Sequence, residues 1–319
     1  MNGPPLGRRG LLRAASLGAV GTVTFPLTRP RARRRKPTFV FVHGANGNGA
    51  SYASLMSELA MAGYRALAVD LPGHGASANF LVSYQAPQDL DAFATAPSPV
   101  LARTTLADNV QHIVEVVRAV AARGPVILVG QSMGGATITR VGNVIAELVA
   151  RLVYVSAFCC VRFRSLGDCY ASREGADTLI PLIPSVGDPR RLGVTRTNWR
   201  SADPAFLAGA RAALAAGYSE TAFHTMLNGL EPDESLTLIG DDARGDPGTW
   251  GRIPRSYIRF TLDRALPLAL QDRMIDEADM ATPGNRFDVH SLPAPHVGPQ
   301  DPAPLARILA ILAQRHQWE

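Results

Sequence analysis

Gly130-Gln131-Ser132-Met133-Gly134 sets one serine between two glycines at a spacing suited to acyl-transfer chemistry. A serine hydroxyl is a poor nucleophile near neutral pH. It needs a base within hydrogen-bond reach to take its proton, and N–H donors facing the oxyanion that forms. A G-x-S-x-G turn between a buried strand and a helix meets the geometric half of that requirement. The glycines leave room for a sharp turn that lifts Ser132 to the top of a sheet, and the N–H of Met133 points there from a helix N-terminus. The bland alternative is a chance glycine-rich turn. Against it stands the setting, because Val126-Ile127-Leu128-Val129 runs into the motif and a helical pattern leaves it. A second oxyanion donor is expected in His43-Gly44-Ala45-Asn46-Gly47-Asn48-Gly49, where the N–H of Ala45 is the candidate and Gly44 permits the turn.

With a nucleophile on such an elbow, the base follows the serine and the acid in chain order, on a loop after the last strand. His290, His296 and His316 qualify by position. His290 falls inside an alternating strand and His316 in a C-terminal helix, so both read as structural or solvent-facing. His296, in Pro293-Ala294-Pro295-His296-Val297, is free to reach the serine and is the candidate base. His43 and His74 stand at a strand end and in a Pro-Gly-His-Gly turn, where structural roles are expected. The acid is expected at Asp263, where a strand over 256–261 gives way to Arg264-Ala265-Leu266-Pro267. There it could accept the Nδ1 proton of His296 and fix its tautomer; the alternative is a helix N-cap carboxylate. Asp272, Asp276 and Glu277 belong to the following helix and face away from a strand tip.

Positioning these groups requires a sheet. From Pro37 onward short β-branched runs alternate with longer helical patterns, which predicts an α/β fold with a mostly parallel sheet covered on both faces. Strands are expected over 38–42, 65–69, 126–129, 152–155, 256–261 and 287–292. Helices are expected over 51–62, 106–122, from the serine turn to about 149, 267–278 and 303–314. Residues 159 to 253 break the rhythm with Pro, Gly and Asp punctuation and read as an inserted cap, with a helix over 203–216. The core is then 37–158 and 254–319. A long excursion over 76–104 and the stretch from Cys159 to Ser185 should lie over the active-site mouth. There Tyr170, Trp199, Phe223, Met226 and Trp250 could line an apolar acyl or alcohol pocket, although such residues are more often simple core.

The composition, 46% hydrophobic and 18% charged, is that of a globular protein and argues against disorder or multiple membrane spans. The net charge of +5 is misleading. Residues 1–36 hold nine basic residues and no acid, which leaves 23 basic against 27 acidic residues in the rest. The body is therefore net acidic, and no basic patch with interleaved aromatics suggests nucleic acid. One Lys against thirty-one Arg looks like coding in a GC-rich bacterial genome. Arg8-Arg9-Gly10-Leu11-Leu12-Arg13 and the Ala/Leu/Val/Gly run after it resemble a twin-arginine export signal, so export is expected, with no stable membrane insertion once the leader is removed. A disordered basic tail on a cytoplasmic enzyme is the alternative. Three cysteines, Cys159, Cys160 and Cys169, are expected as buried free thiols, with one short-loop bridge as the alternative in an exported protein. Absence of C-x-x-C and H-E-x-x-H spacings leaves a zinc site without support.

Across residues 37–315 the sequence resembles the α/β-hydrolase superfamily, in the branch of plant methyl esterases, hydroxynitrile lyases and bacterial pyrethroid-type esterases. The resemblance rests on F-V-F-V-H-G-A at 39–45, D-L-P-G-H-G at 70–75, G-Q-S-M-G-G at 130–135, L-V-Y-V-S-A-F at 152–158 and the stretch from 250 through Asp263. It implies an α/β-hydrolase fold and a cofactor-free triad of Ser132, Asp263 and His296, with Ala45 and Met133 as oxyanion hole. The lyases of that branch carry Thr after the first-strand His and Lys after the catalytic His. Here Gly44 and Val297 stand there. The expected activity is hydrolysis of a carboxylic ester or lactone of a small apolar molecule through an acyl-enzyme. Lyase-like or perhydrolase chemistry on the same triad, and a non-catalytic binding protein that kept the fold, stay open.

Overall fold

The computed structural model describes residues 35–315. The basic leader, apart from its last two residues, and His316 lie outside the described residues. Among the described residues eight strands occur in chain order: β1 (Thr38–Val42), β2 (Arg65–Val69), β3 (Val126–Ser132), β4 (Arg151–Ala157), β5 (Val194–Arg196), β6 (Asp233–Ser235), β7 (Arg255–Phe260) and β8 (Asp288–Leu292). Six of them form one sheet in the order β2-β1-β3-β4-β7-β8, every pair parallel.

The side-chain period of two explains why the central strands read as unbroken apolar runs: both faces are covered. Val40, Val42, Leu128, Leu152, Tyr154 and Tyr257 face one apolar cluster, closed by Ile113 and Val117 of helix Leu106–Ala121, Ile138 and Val141 of helix Gly134–Val144, and Leu270 and Met274 of helix Leu268–Ala281. Phe39, Phe41, Ile127, Val129, Val153, Val155 and Ile258 face the other, closed by Leu55 and Leu59 of helix Ala53–Met61 and Leu309 and Leu312 of helix Ala303–Arg315. Each such side chain contributes about 1.5–3 kcal/mol on burial. The edge strands β2 and β8 instead alternate between exposed and partly covered residues.

Helix Gly134–Val144 stops short of the expected end near 149. Ile145 leaves the helical region at φ −136° and ψ 47° and its side chain is buried, and a single 3-10 turn, Ala146–Leu148, follows. The excursion over 76–104 holds a short helix, Leu90–Thr95, capped by Asp89. The 159–253 segment carries a small antiparallel pair, β5 with β6, that no alternation in the sequence announces, because each strand is three residues long. Its helices Pro204–Leu214 and Glu220–Gly229 close a third apolar cluster of Trp199, Phe206, Leu214, Phe223 and Leu227. At its two ends Cys159, Cys160, Cys169, Leu238, Trp250 and Ile253 pack into the core beneath the sheet. All three cysteines are buried free thiols, with the sulfurs of Cys160 and Cys169 3.7 Å apart.

One buried ion pair joins the pieces of this upper layer. The fully buried Arg196 on β5 donates from Nε and Nη2 to the two carboxylate oxygens of Asp233 on β6, at 2.6 and 2.8 Å. Its Nη1 donates to the carbonyl oxygens of Phe93 and Ala96 at the end of helix Leu90–Thr95. Arg196→Ala is expected to cost about 3–5 kcal/mol, since it strands a buried carboxylate and two carbonyls. Arg196→Met with Asp233→Leu should cost less than the single change. Denaturant midpoints of the three proteins check this.

Candidate active site

β3 ends on Ser132, which sits at φ 51°, a left-handed conformation that a serine adopts only when its surroundings impose it. The surroundings here are backbones without side chains. A Cβ at Gly130 would stand 2.7 Å from the carbonyl oxygen of Gly134, one at Gly44 would stand 2.8 Å from Cβ of Ser132, and one at Gly134 would overlap the carbonyl oxygen of Val42. The close approach at Gly44 brings the loop after β1 against Ser132, and Met133 is the N-cap of the helix that leaves the turn. Among the described residues no acceptor is bonded to the N–H of Ala45 or of Met133.

His296 Nε2 lies 3.0 Å from Ser132 Oγ, and its Nδ1 lies 2.7 Å from Asp263 Oδ2. All three residues are buried, Ser132 and His296 being 8% and 9% exposed. Asp263 follows β7, and its Oδ1 accepts the N–H groups of Ala265 and Leu266, both at 2.8 Å. The carboxylate thus closes a local turn and faces His296 with its other oxygen; the helix itself begins later, with Pro267 as N-cap. Two residues not singled out by the sequence hold this arrangement. Gln131, inside the motif, donates from Nε2 to the carbonyl oxygen of His296 at 3.0 Å and tethers the His296 loop to the serine turn. Ser156 on β4 donates to Asp263 Oδ2 at 2.5 Å.

The other expected residues separate into two groups. Tyr170 packs edge-to-face on Phe158, and burial pushes its phenol well up, reinforced by the charge of Asp263. Trp199, Phe223 and Met226 belong to the third apolar cluster, which also takes in Ala265, two residues after Asp263, and Val297, next to His296. Trp250 is not part of this group and, against expectation, lies in the core rather than in a substrate pocket. It is fully buried under helix Gly134–Val144, where its Nε1 donates to the Tyr154 hydroxyl at 2.8 Å and the Arg255 guanidinium lies 4.1 Å from the ring centroid. A buried indole N–H needs an acceptor, and the one supplied is in the core. His290 lies on β8 beside Asp288, 3.2 Å away.

The loop carrying Ala45 is held by a buried polar cluster. His43 accepts the Leu71 N–H at Nε2 (3.1 Å) and donates from Nδ1 to the carbonyl oxygen of Gly44 (2.8 Å), and its ring meets that of His74 edge-to-face. Burial, with the charge of His74, pushes His43 down to about 4, so it stays neutral and keeps that tautomer. Burial also works against a charge on His74, but Glu234 and Glu231 outweigh it and hold His74 up at about 10. Glu231 takes His74 Nδ1 at 2.8 Å on one oxygen, and the N–H of Gly75 and the Asn48 amide on the other. Glu234 accepts the N–H of Asn46 at 3.0 Å; burial opposes its charge, but His74 holds its carboxyl below the usual range. The 43–49 loop is therefore held between the sheet and the 159–253 segment. Glu231 and Glu234 gave no sign of this in sequence, because their partners lie more than 150 residues away. Among the described residues no group of three His, Cys, Asp or Glu side chains could hold a metal ion.

Residues 39–309 match the model of the alpha/beta hydrolase family. Among solved structures, a pyrethroid hydrolase superposes with a TM-score of 0.65 at 25% identity, covering 88% of this chain and 98% of that one. Polyneuridine aldehyde esterase (TM-score 0.63, 20% identity, 88% and 100% covered) and an extracellular alpha/beta-hydrolase from a Paenibacillus species (0.62, 18%, 88% and 100%) share the fold. Protein phosphatase methylesterase 1 of Neurospora crassa is 32% identical over 113 residues, which is 34% of this chain and 25% of that relative. The alignment thus spans about a quarter of the relative's length.

The His74 cluster sets a pH dependence of stability. Between 6.5 and about 10 the folded chain keeps a proton on His74 that the unfolded chain releases, so this contribution is complete below pH 6.5 and lost as pH rises through about 10. Glu234 acts at the other end: its contribution is present above 4.5 and lost as pH falls through its lowered folded value. His43 adds a cost below 6.5, as acid charges the unfolded imidazole first. His74→Gln should lower the melting temperature at pH 6.5 and flatten its fall toward pH 10 relative to the wild type. Calorimetric scans of both proteins across that interval measure this.

Proposed function

The chain belongs to the alpha/beta hydrolase family, and on that premise we propose that it is a serine esterase, cleaving a carboxylic ester or lactone of a small apolar molecule through an acyl-enzyme. The observation that carries this reading is the unbroken line from Asp263 Oδ2 through His296 to Ser132 Oγ, at 2.7 and 3.0 Å. In the proposed sequence His296 Nε2 takes the Ser132 proton as Oγ attacks the ester carbonyl. The oxyanion of the tetrahedral species faces the free N–H groups of Met133 and Ala45. Collapse expels the alcohol, which leaves with the proton from His296. Water then attacks the acyl group, giving its proton to the same nitrogen, and the acid departs as Ser132 recovers its own. Asp263 holds the Nδ1 tautomer throughout and balances the transient imidazolium.

An apolar substrate is supported by the cap cluster of Trp199, Phe223 and Met226 against the Asp263 and His296 loops, with Tyr170 beside Asp263. The relatives named as esterases, a methylesterase and a pyrethroid hydrolase point to the same class of chemistry. We also propose that residues 1–36 direct export, on the strength of the Arg8-Arg9 pattern and the run after it.

A fluorophosphonate probe should label Ser132, and Ser132→Ala should abolish labelling. On short p-nitrophenyl esters Ser132→Ala and His296→Ala should each lower kcat by about 10⁴-fold or more. No labelling of the wild type would leave a binding protein of this fold, and cyanide release from mandelonitrile without ester cleavage would replace the esterase by a lyase. For export, Arg8→Lys with Arg9→Lys should retain the protein in the cytoplasm, read by cell fractionation.

A further inference from the structure

β4 departs from regular pairing at one residue. Gln131 of β3 stands opposite Val155 and Ser132 stands opposite Ala157, so Ser156 is an extra residue with no partner across the ladder. Its backbone sits at φ 39°, in the left-handed region that a serine seldom occupies. The alternation of faces shows the same skip. Leu152 and Tyr154 face one core cluster, Val153 and Val155 the other, and Ala157, not Ser156, resumes the first. A bulge next to a reactive serine costs pairing and backbone strain, and such features re-aim a side chain.

The bulge is built in from both neighbouring strands. The Tyr257 hydroxyl of β7 accepts the N–H of Ala157 at 3.0 Å and donates to its carbonyl oxygen at 2.7 Å, while the Phe158 N–H donates to the carbonyl oxygen of Ser132 at 3.0 Å. What it aims is the fully buried Ser156 hydroxyl, which meets Asp263 Oδ2, the oxygen that also receives His296 Nδ1.

We infer that Ser156 is a positioning residue for the proton relay, acting through Asp263 to align its carboxylate with His296. The inference rests on the esterase reading for its kinetic consequence. With Oδ1 held by Ala265 and Leu266, the Ser156 hydroxyl fixes the remaining oxygen in direction and supplies a donor where water does not reach. The ionisable groups packed nearby, Tyr170 and Tyr257, are both pushed up by burial, so neither adds a charge that could take over this task.

The test compares the wild type with Ser156→Ala and Ser156→Gly, each titrated with the fluorophosphonate probe so that rates refer to folded sites. Both variants should lose about 10- to 100-fold in kcat on a p-nitrophenyl ester, as for a misaligned catalytic group, with KM within about twofold. The downfield proton resonance of His296 Nδ1 should shift in both. Ser156→Gly, freed of the left-handed strain, should melt higher than Ser156→Ala and yet be as slow. Wild-type kcat per titrated site together with an unmoved resonance in Ser156→Gly would overturn the inference, whatever happens to the stability of Ser156→Ala. Should the wild type cleave no ester, the esterase reading fails alone, and the Nδ1 resonance still decides on Ser156.

Discussion

The turn at Ser132 exists because three backbones come closer together than side chains allow. The serine can hold φ 51° only while Gly130 and Gly134 pack on each other and on the end of β1, and while Gly44 lets the following loop touch the serine itself. Everything that serves the hydroxyl is placed by this packing. β3 must lie between β1 and β4 for the contact to occur, and the apolar clusters on both faces of the sheet hold it there. The helix after the turn starts with its N-terminus at the serine for the same reason, with Met133 as its N-cap.

Two buried polar assemblies flank the serine and do different work. On one side Asp263 uses all the bonding capacity of its carboxylate on Ala265, Leu266, Ser156 and His296, so the imidazole meets an acceptor with little freedom to turn. Gln131 adds a second tether, from the serine turn to the backbone of His296. On the other side His74, Glu231 and Glu234 hold the 43–49 loop through Asn46 and Asn48. Buried charges are costly alone; here the two acids share the charge of His74 and accept the backbone N–H groups of Gly75 and Asn46, while Asp263 is met by hydrogen-bond donors on both oxygens. The 159–253 segment carries both acids of that cluster and is thereby bonded to the loop.

Much of this is legible in the amino-acid sequence. The central strands show because both faces are covered, and their long apolar runs are distinctive. The bounds of β1 and β2 are those the pattern predicts. Ser132 shows because glycine spacing is a local signature. Asp263 and His296 show because strand ends and the loops after them are local features too, and the structure brings both within hydrogen-bond distance in one line with Ser132. The place of Trp250 is not legible, because an aromatic in a Pro- and Gly-rich segment has no local mark that separates a core indole from a pocket wall.

What the amino-acid order determined by itself was the kind of sheet, the sharp turn and the residue types gathered at strand ends, since each follows from steric and hydrophobic preferences within a few neighbouring residues. What only the tertiary structure decided was which polar groups meet in the interior. Ser156 reaches Asp263 across 107 positions, and His74 reaches Glu231 across 157. Such pairings depend on the register of strands and the return of distant segments, and no local preference encodes them.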